Sequence, residues 1–210
     1  DALPIYTRYA FGFKLAAATG MRRGELLALK WDRVDLDGMT ILINRKVVRA
    51  AKGTNRYIQD GTKTSDGRRI AIPKSLKEDL IRHKELQQIE KEENEYEDNN
   101  LVIATQNGKI VDPDNFTRIF RNTLKASGIK KELSLHSLRH THATLLLLQG
   151  IHMKIVSERL GHSSIKMTMD TYSHLLPSMD HGAMEEFDEL LTKEDELPQK
   201  STEEGILQET

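Results

Sequence analysis

Cysteine is absent from all 210 residues, which excludes disulfides and Cys-ligated zinc and agrees with a reducing compartment. Long apolar runs are absent too. The leucine run from Leu145 to Leu148 is far short of the ~20 residues that span a membrane. There is no P-loop, no Gly-rich dinucleotide fingerprint and no internal repeat, so nucleotide-driven chemistry and solenoid architectures have no support. Aromatic residues make up only 5% of the chain and tryptophan occurs once. The first residues, Asp1-Ala2-Leu3-Pro4, form neither an initiator Met nor a secretory signal, and the expectation is a piece of a longer protein.

What is present is charge, at 30% of residues, and it is unevenly spread. Residues 1–75 hold 15 Lys/Arg against 7 Asp/Glu, and residues 101–175 hold 10 against 5. The intervening residues 76–100 hold 4 against 9, and residues 176–210 hold 2 against 11. Two basic blocks thus hide within a net charge of −1. A polyphosphate partner such as DNA accounts for them, although on counts alone Lys and Arg on solvated faces are the favoured reading.

Periodicity and punctuation predict a mainly α chain with a small antiparallel β-sheet (α+β). Helices are expected over Pro4 to Thr19, ended by Gly20, and over Gly24 to Lys30. Strands are expected over Met39 to Val48, around Tyr57 to Lys63, and over Arg69 to Ile72. Further helices are expected from Lys74 to Lys91, from Asp112-Pro113 to Gly128, from His136 to Gln149, from Met153 to Leu160 and from Ser164 to about Leu175. A last amphipathic helix, Met179 to Leu191, carries Met184, Phe187, Leu190 and Leu191. Leu101-Val102-Ile103 reads as a short buried element, and residues after Lys193 as a disordered acidic tail.

Several groups in this frame bear chemistry. Arg22 follows a helix break with Glu25 three residues on, so the carboxylate can orient the guanidinium at a helix N-terminus that suits an anion. An ordinary surface ion pair reads the same way. His136 and Arg139 share a helix face and combine a phosphate fork with a neutral-range proton carrier. His136, His140 and His142 do not share one face, and Ser137 stands where the metalloprotease motif needs Glu, so metal binding is not expected. A core role is the simpler reading of His140 and His142. His162 lies between a capping Gly161 and Ser163-Ser164, at a helix junction. Lys63 sits at the shoulder of an apparent hairpin turn, Thr62 to Arg69, where most lysines merely solvate the loop. Tyr172 carries no local mark of reactivity.

Taken in order, Arg22 with Glu25, Lys63, His136-x-x-Arg139, Leu160-Gly161-His162 and Tyr172 resemble the active-site series of the tyrosine recombinase (phage integrase) family, over roughly residues 5–192. The wording "HSLRHTHATLLL" and "LGHSSIKMTMDTYSHLLP" is most similar to integrases of phages and integrative elements of low-GC Gram-positive bacteria. The spacing of His162 and Tyr172 is one residue longer than in many members.

The resemblance implies a catalytic domain over residues 1–192, an acidic tail over 193–210, and an N-terminal DNA-binding domain absent from this chain. It implies a bacterial, cytoplasmic enzyme that cuts and rejoins double-stranded DNA attachment sites through a 3′-phosphotyrosine, without cofactor, metal or ATP. The enzyme would act as a homotetramer on DNA, with possible excision accessory proteins and no membrane partner. By the same resemblance Arg22 and Arg139 hold the phosphate, Lys63 protonates the leaving oxygen, His136 serves as base, His162 bonds a phosphate oxygen, and Tyr172 attacks. A type IB-like topoisomerase or a non-catalytic DNA-binding protein are the competing readings. The last helix is expected to dock either on its own domain or on a neighbouring protomer.

Overall fold

The computed structural model describes residues 5–50, 55–61, 67–93, 95–129, 133–173 and 176–193. Its elements are mainly helical with small antiparallel sheets, as the sequence predicts. Helix α1, Ile5–Thr19, buries Tyr9, Phe13, Leu15 and Ala16. It stops at Gly20, whose backbone is left-handed (φ 66°). A Cβ at that position would stand 2.7 Å from the His142 ring, so this turn needs glycine for space as well as for conformation. Helix α2, Arg23–Leu27, begins immediately afterwards and is shorter than expected.

The β region differs most from expectation. Five strands, not three, form two sheets among the described residues: β1 (Val34–Asp35), β2 (Thr40–Ile43) and β5 (Arg68–Ala71) in the order β1-β2-β5, with β3 (Arg45–Arg49) paired to β4 (Arg56–Asp60). The single strand expected over Met39 to Val48 breaks at Asn44. Ile43 pairs with Arg68, whereas Arg45 pairs with Asp60, so the chain changes partners there. Ile41, Ile43 and Val47 keep the same buried phase across the break, and alternation therefore could not reveal it. The apparent hairpin around Lys63 is likewise corrected. The strands on either side of it, β4 and β5, pair with β3 and β2 rather than with each other. Lys63 itself lies outside the described residues.

Helix α3, Lys77–Glu93, follows a short 3-10 turn. The segment from Leu101 to Ala104 is buried and forms isolated bridges with Lys30 and Ile110. Helix α4, Pro113–Ala126, is started by the Asp112 side chain, which accepts from the Asp114 and Asn115 amides. It presents Phe116 to Phe13 and Tyr9 at centroid distances of 5.0 and 5.8 Å. These elements and the sheet share one large core.

Helices α5 (Leu135–Leu148), α6 (Met153–Leu160), α7 (Ile165–Tyr172) and α8 (Leu176–Lys193) complete the chain. A second, smaller cluster joins Ala143, Leu147, Val156, Leu160 and Tyr172 from α5, α6 and α7. Helix α7 ends at Tyr172, earlier than the expected Leu175. The tail expected to be disordered lies outside the described residues. No helix among the described residues is long and apolar enough to cross a membrane.

Candidate active site

A helix leaves its last carbonyls without partners, at the negative end of its dipole, and cationic donors are favoured there. At the end of α6 three successive carbonyls are taken by three arginines from three other parts of the chain. Arg68 Nε donates to Arg159 O (2.8 Å), Arg139 Nη2 to Leu160 O (2.6 Å), and Arg22 Nη2 to Gly161 O (2.8 Å). Gly161 ends the helix in the left-handed conformation (φ 67°), and a Cβ on it would meet the Arg68 guanidinium at 2.7 Å. The arginines are thus fixed by backbone, which cannot move without unwinding a helix.

The guanidiniums are tied to each other through Glu25. Its carboxylate accepts both Arg68 nitrogens (3.0 and 2.7 Å), Arg22 Nη1 (3.0 Å) and the Arg22 backbone amide (2.9 Å). Burial pushes this carboxyl up, but Arg68 and Arg22 outweigh it and hold the pKa below the ordinary carboxylate value. Arg139, only 4% exposed, also donates from Nη1 to Gly20 O at 2.7 Å. Burial first, then the Arg22 charge, lower its pKa to about 10, which still leaves it cationic at neutral pH. Glu25 thus bonds Arg22 and Arg68 and acts on Arg139 only through its charge, so the cluster of three guanidiniums around this carboxylate carries excess positive charge.

Two hollows flank the Arg22–Gly161 contact. One, of about 430 Å³, is lined by Arg22, Arg23, Gly24, Ser134, His136 and Arg139 among others. The second, of about 600 Å³, includes Arg45, Lys46, Arg68, Gly161 and His162. Gly61 and Gly67, which bracket the Lys63 segment, line this second hollow as well.

The histidines divide by role. His142 belongs to the scaffold: its Nδ1 donates to Ala17 O (3.0 Å) and its Nε2 accepts from Arg159 Nε (2.9 Å). Burial and the Arg159 charge lower its pKa to about 4. His162 is bonded through Nδ1 to the buried Thr168 hydroxyl (2.8 Å). Burial, then Arg139, Arg22 and Arg68, lower its pKa to about 4, so it is neutral in ordinary buffers. His136 lines the first hollow; burial, then His140 and Arg139, lower its pKa too. His140 is not a core residue. Its ring is half-buried, stands edge-on to His136 at 4.5 Å, and places Nδ1 3.0 Å from the Tyr172 hydroxyl. Tyr172 is 3% exposed, and burial raises its pKa while Arg139 pulls it down.

Arg22, Glu25, His136, Arg139, His162 and Tyr172 are thus brought together from α2, α5, the α6–α7 turn and α7. Sequence reasoning missed Arg68, Arg159, His140 and Thr168. The only local signal for Arg68 was its place beside a glycine turn, and nothing in the sequence pairs it with Glu25, 43 positions away. His140 was visible only as a third histidine on α5.

Comparison with known proteins gives a consistent result. The chain is 34% identical over 191 residues to a tyrosine recombinase XerC-like protein of Caldanaerobacter subterraneus subsp. tengcongensis, covering 85% of this chain and 48% of the relative. It is 32% identical over 194 residues to the ICEBs1 integrase of Bacillus subtilis, covering 91% of this chain and 50% of that protein. The chain spans about half the length of these curated relatives. The structure of the Tn1549 transposon integrase in complex with a circular intermediate DNA shares the fold, with a TM-score of 0.71 at 21% identity over 89% of this chain and 60% of that one. Residues 1–179 match the model of the phage integrase family, and the chain belongs to that family.

Proposed function

We propose that the chain is the catalytic domain of a site-specific tyrosine recombinase that integrates or excises a mobile element by cutting and rejoining double-stranded DNA. The observation that carries this reading is the seating of Arg22 and Arg139 on adjacent carbonyls of α6, beside His162, with Tyr172 one helix away. Phosphodiester attack builds charge on the non-bridging oxygens, and preorganised donors stabilise it most where water cannot reorganise. Both guanidiniums keep N–H groups beyond those spent on the carbonyls, since each has five donors. His136 and neutral His162 complete the lining of the phosphate position.

Tyr172 attacks phosphorus through Oη and becomes a 3′-phosphotyrosine, and the 5′-oxygen leaves with a proton. Lys63 supplies that proton in this reading, supported by Gly61 and Gly67 on the hollow that holds His162. The bond energy is conserved in the phosphotyrosine, so a second strand's 5′-hydroxyl can displace Tyr172 without ATP or metal. The names of the relatives, integrases and recombinases, support the same reaction class.

In the whole protein, residues 1–192 form the catalytic domain, residues 193–210 an acidic tail, and a separate N-terminal domain completes a clamp on the duplex. A homotetramer assembles on paired attachment sites, with accessory proteins for excision, in the bacterial cytoplasm. Met184 and Phe187 of α8, 56% and 54% exposed, favour docking of that helix on a neighbouring protomer.

The test is covalent trapping on a nicked duplex bearing the junction of the mobile element that encodes the chain. A detergent-resistant adduct should form with the parent chain and vanish in Tyr172→Phe, with DNA affinity kept. Relaxation of supercoiled DNA by the monomer without site preference would turn the assignment toward a topoisomerase.

A further inference from the structure

We infer that His140, and not His136, is the group that takes the phenolic proton of Tyr172 during attack and returns it during rejoining. The inference rests on Tyr172 being the nucleophile. Its basis is geometric: the Tyr172 hydroxyl is 3.0 Å from His140 Nδ1, within proton-transfer reach, with ring centroids 5.8 Å apart. In the inferred step the Tyr172 hydroxyl donates to His140 Nδ1, and the ring carries its own hydrogen on Nε2. His136, one turn earlier on α5, instead lines the hollow with Arg22, Arg23 and Arg139, where the phosphate belongs.

The surroundings of the phenol explain why a contacting base is needed. The Tyr172 ring is sunk in the small cluster with Ala143, Leu147, Val156 and Leu160, and burial disfavours its anion. A phenol so placed does not ionise by losing a proton to bulk water; the proton needs an acceptor already in contact. The charged and titratable groups around His140 are His136 and Arg139 on α5, His162 after α6 and Tyr172 on α7.

The step balances without any co-reactant. The Oη–H bond breaks and its proton goes to His140 Nδ1, while the oxygen electron pair forms the Oη–P bond. The P–O5′ bond breaks with its electrons on O5′, which is protonated by a separate donor. In rejoining, an incoming 5′-hydroxyl attacks phosphorus and gives its proton to the separate group that had protonated O5′, the Oη–P bond breaks, and His140 returns its proton to Oη.

The test measures adduct formation on the same nicked duplex, with the parent chain, His140→Gln, and both again with a fluorinated, more acidic tyrosine at position 172. Glutamine keeps a hydrogen-bonding side chain, so a melting curve near the parent's is expected, but it cannot accept the proton. Cleavage in His140→Gln should fall by roughly 10²–10⁴-fold at unchanged DNA affinity, and the acidic tyrosine should restore a large part of that loss. Cleavage at the parent rate in His140→Gln overturns the inference. So does an equal defect with either tyrosine, because a purely structural role is indifferent to phenol acidity. Absence of any adduct with the parent chain removes the nucleophile reading itself, and the inference falls with it.

Discussion

The two halves of the site are held in different ways. The phosphate side rests on backbone: Arg22, Arg68 and Arg139 are bound to three carbonyls of α6, with Gly20 O and the Glu25 carboxylate as further anchors. The nucleophile side rests on side chains: among the described residues the Tyr172 hydroxyl has one hydrogen bond, to His140, and the ring packs in a cluster with four other buried residues. Moving an arginine leaves a helix-end carbonyl, and for Arg22 or Arg68 the Glu25 carboxylate, short of a donor, whereas moving the tyrosine gives up the His140 hydrogen bond and a small patch of apolar contact. Electrostatic preorganisation is useful only if it does not relax.

Breaking this contrast should produce effects of descending size. Tyr172→Phe removes the proposed attacking oxygen, so adduct formation should disappear; its stability cost, the hydrogen bond to His140, should be only ~0.5–1.5 kcal/mol in a denaturant titration. Arg139→Lys keeps the charge but loses the planar fork that spans Gly20 O and Leu160 O. Cleavage should fall by about 10²–10³-fold with a lowered melting temperature, and near-parent activity would refute the clamp.

Arg68→Ala touches neither phosphate nor tyrosine in the proposed chemistry, but it leaves Glu25 and Arg159 O short of a donor. A stability loss of ~1–3 kcal/mol is expected, with a smaller fall in cleavage as Arg22 loses its alignment. Acid-dependent unfolding gives the gentlest test. His142 has a folded pKa of about 4 against an ordinary 6.5. Because the folded form disfavours the proton, its contribution to stability is complete above about 6.5 and is lost as pH falls toward about 4. His142→Gln should flatten the pH dependence of stability in that window, and an unchanged slope would show that the ring is not buried neutral.

Much of this was legible in the sequence where the signal is local. The stop at Gly20, the Asp112 cap and the Gly161 turn depend on residues within a few positions, and each appears where expected. The spacing of Arg22 and Glu25 is also local, and their bond forms. By contrast, the partner switch at Asn44 left no trace, because burial phase is the same on both sides. His140 was misread because helical periodicity ranks faces without saying which neighbouring helix will bring a hydroxyl to them.

The sequence by itself determined which polar residue types exist, their order, and the helices that carry them. Only the tertiary structure decided that Arg22 would meet Gly161 across 139 residues, Arg139 would meet Gly20 across 119, and His140 would meet Tyr172 across 32. The physical reason is that caps and turns are satisfied by groups a few bonds away. The carbonyls left over at the end of α6 are satisfied by whatever donors the packed core brings to them.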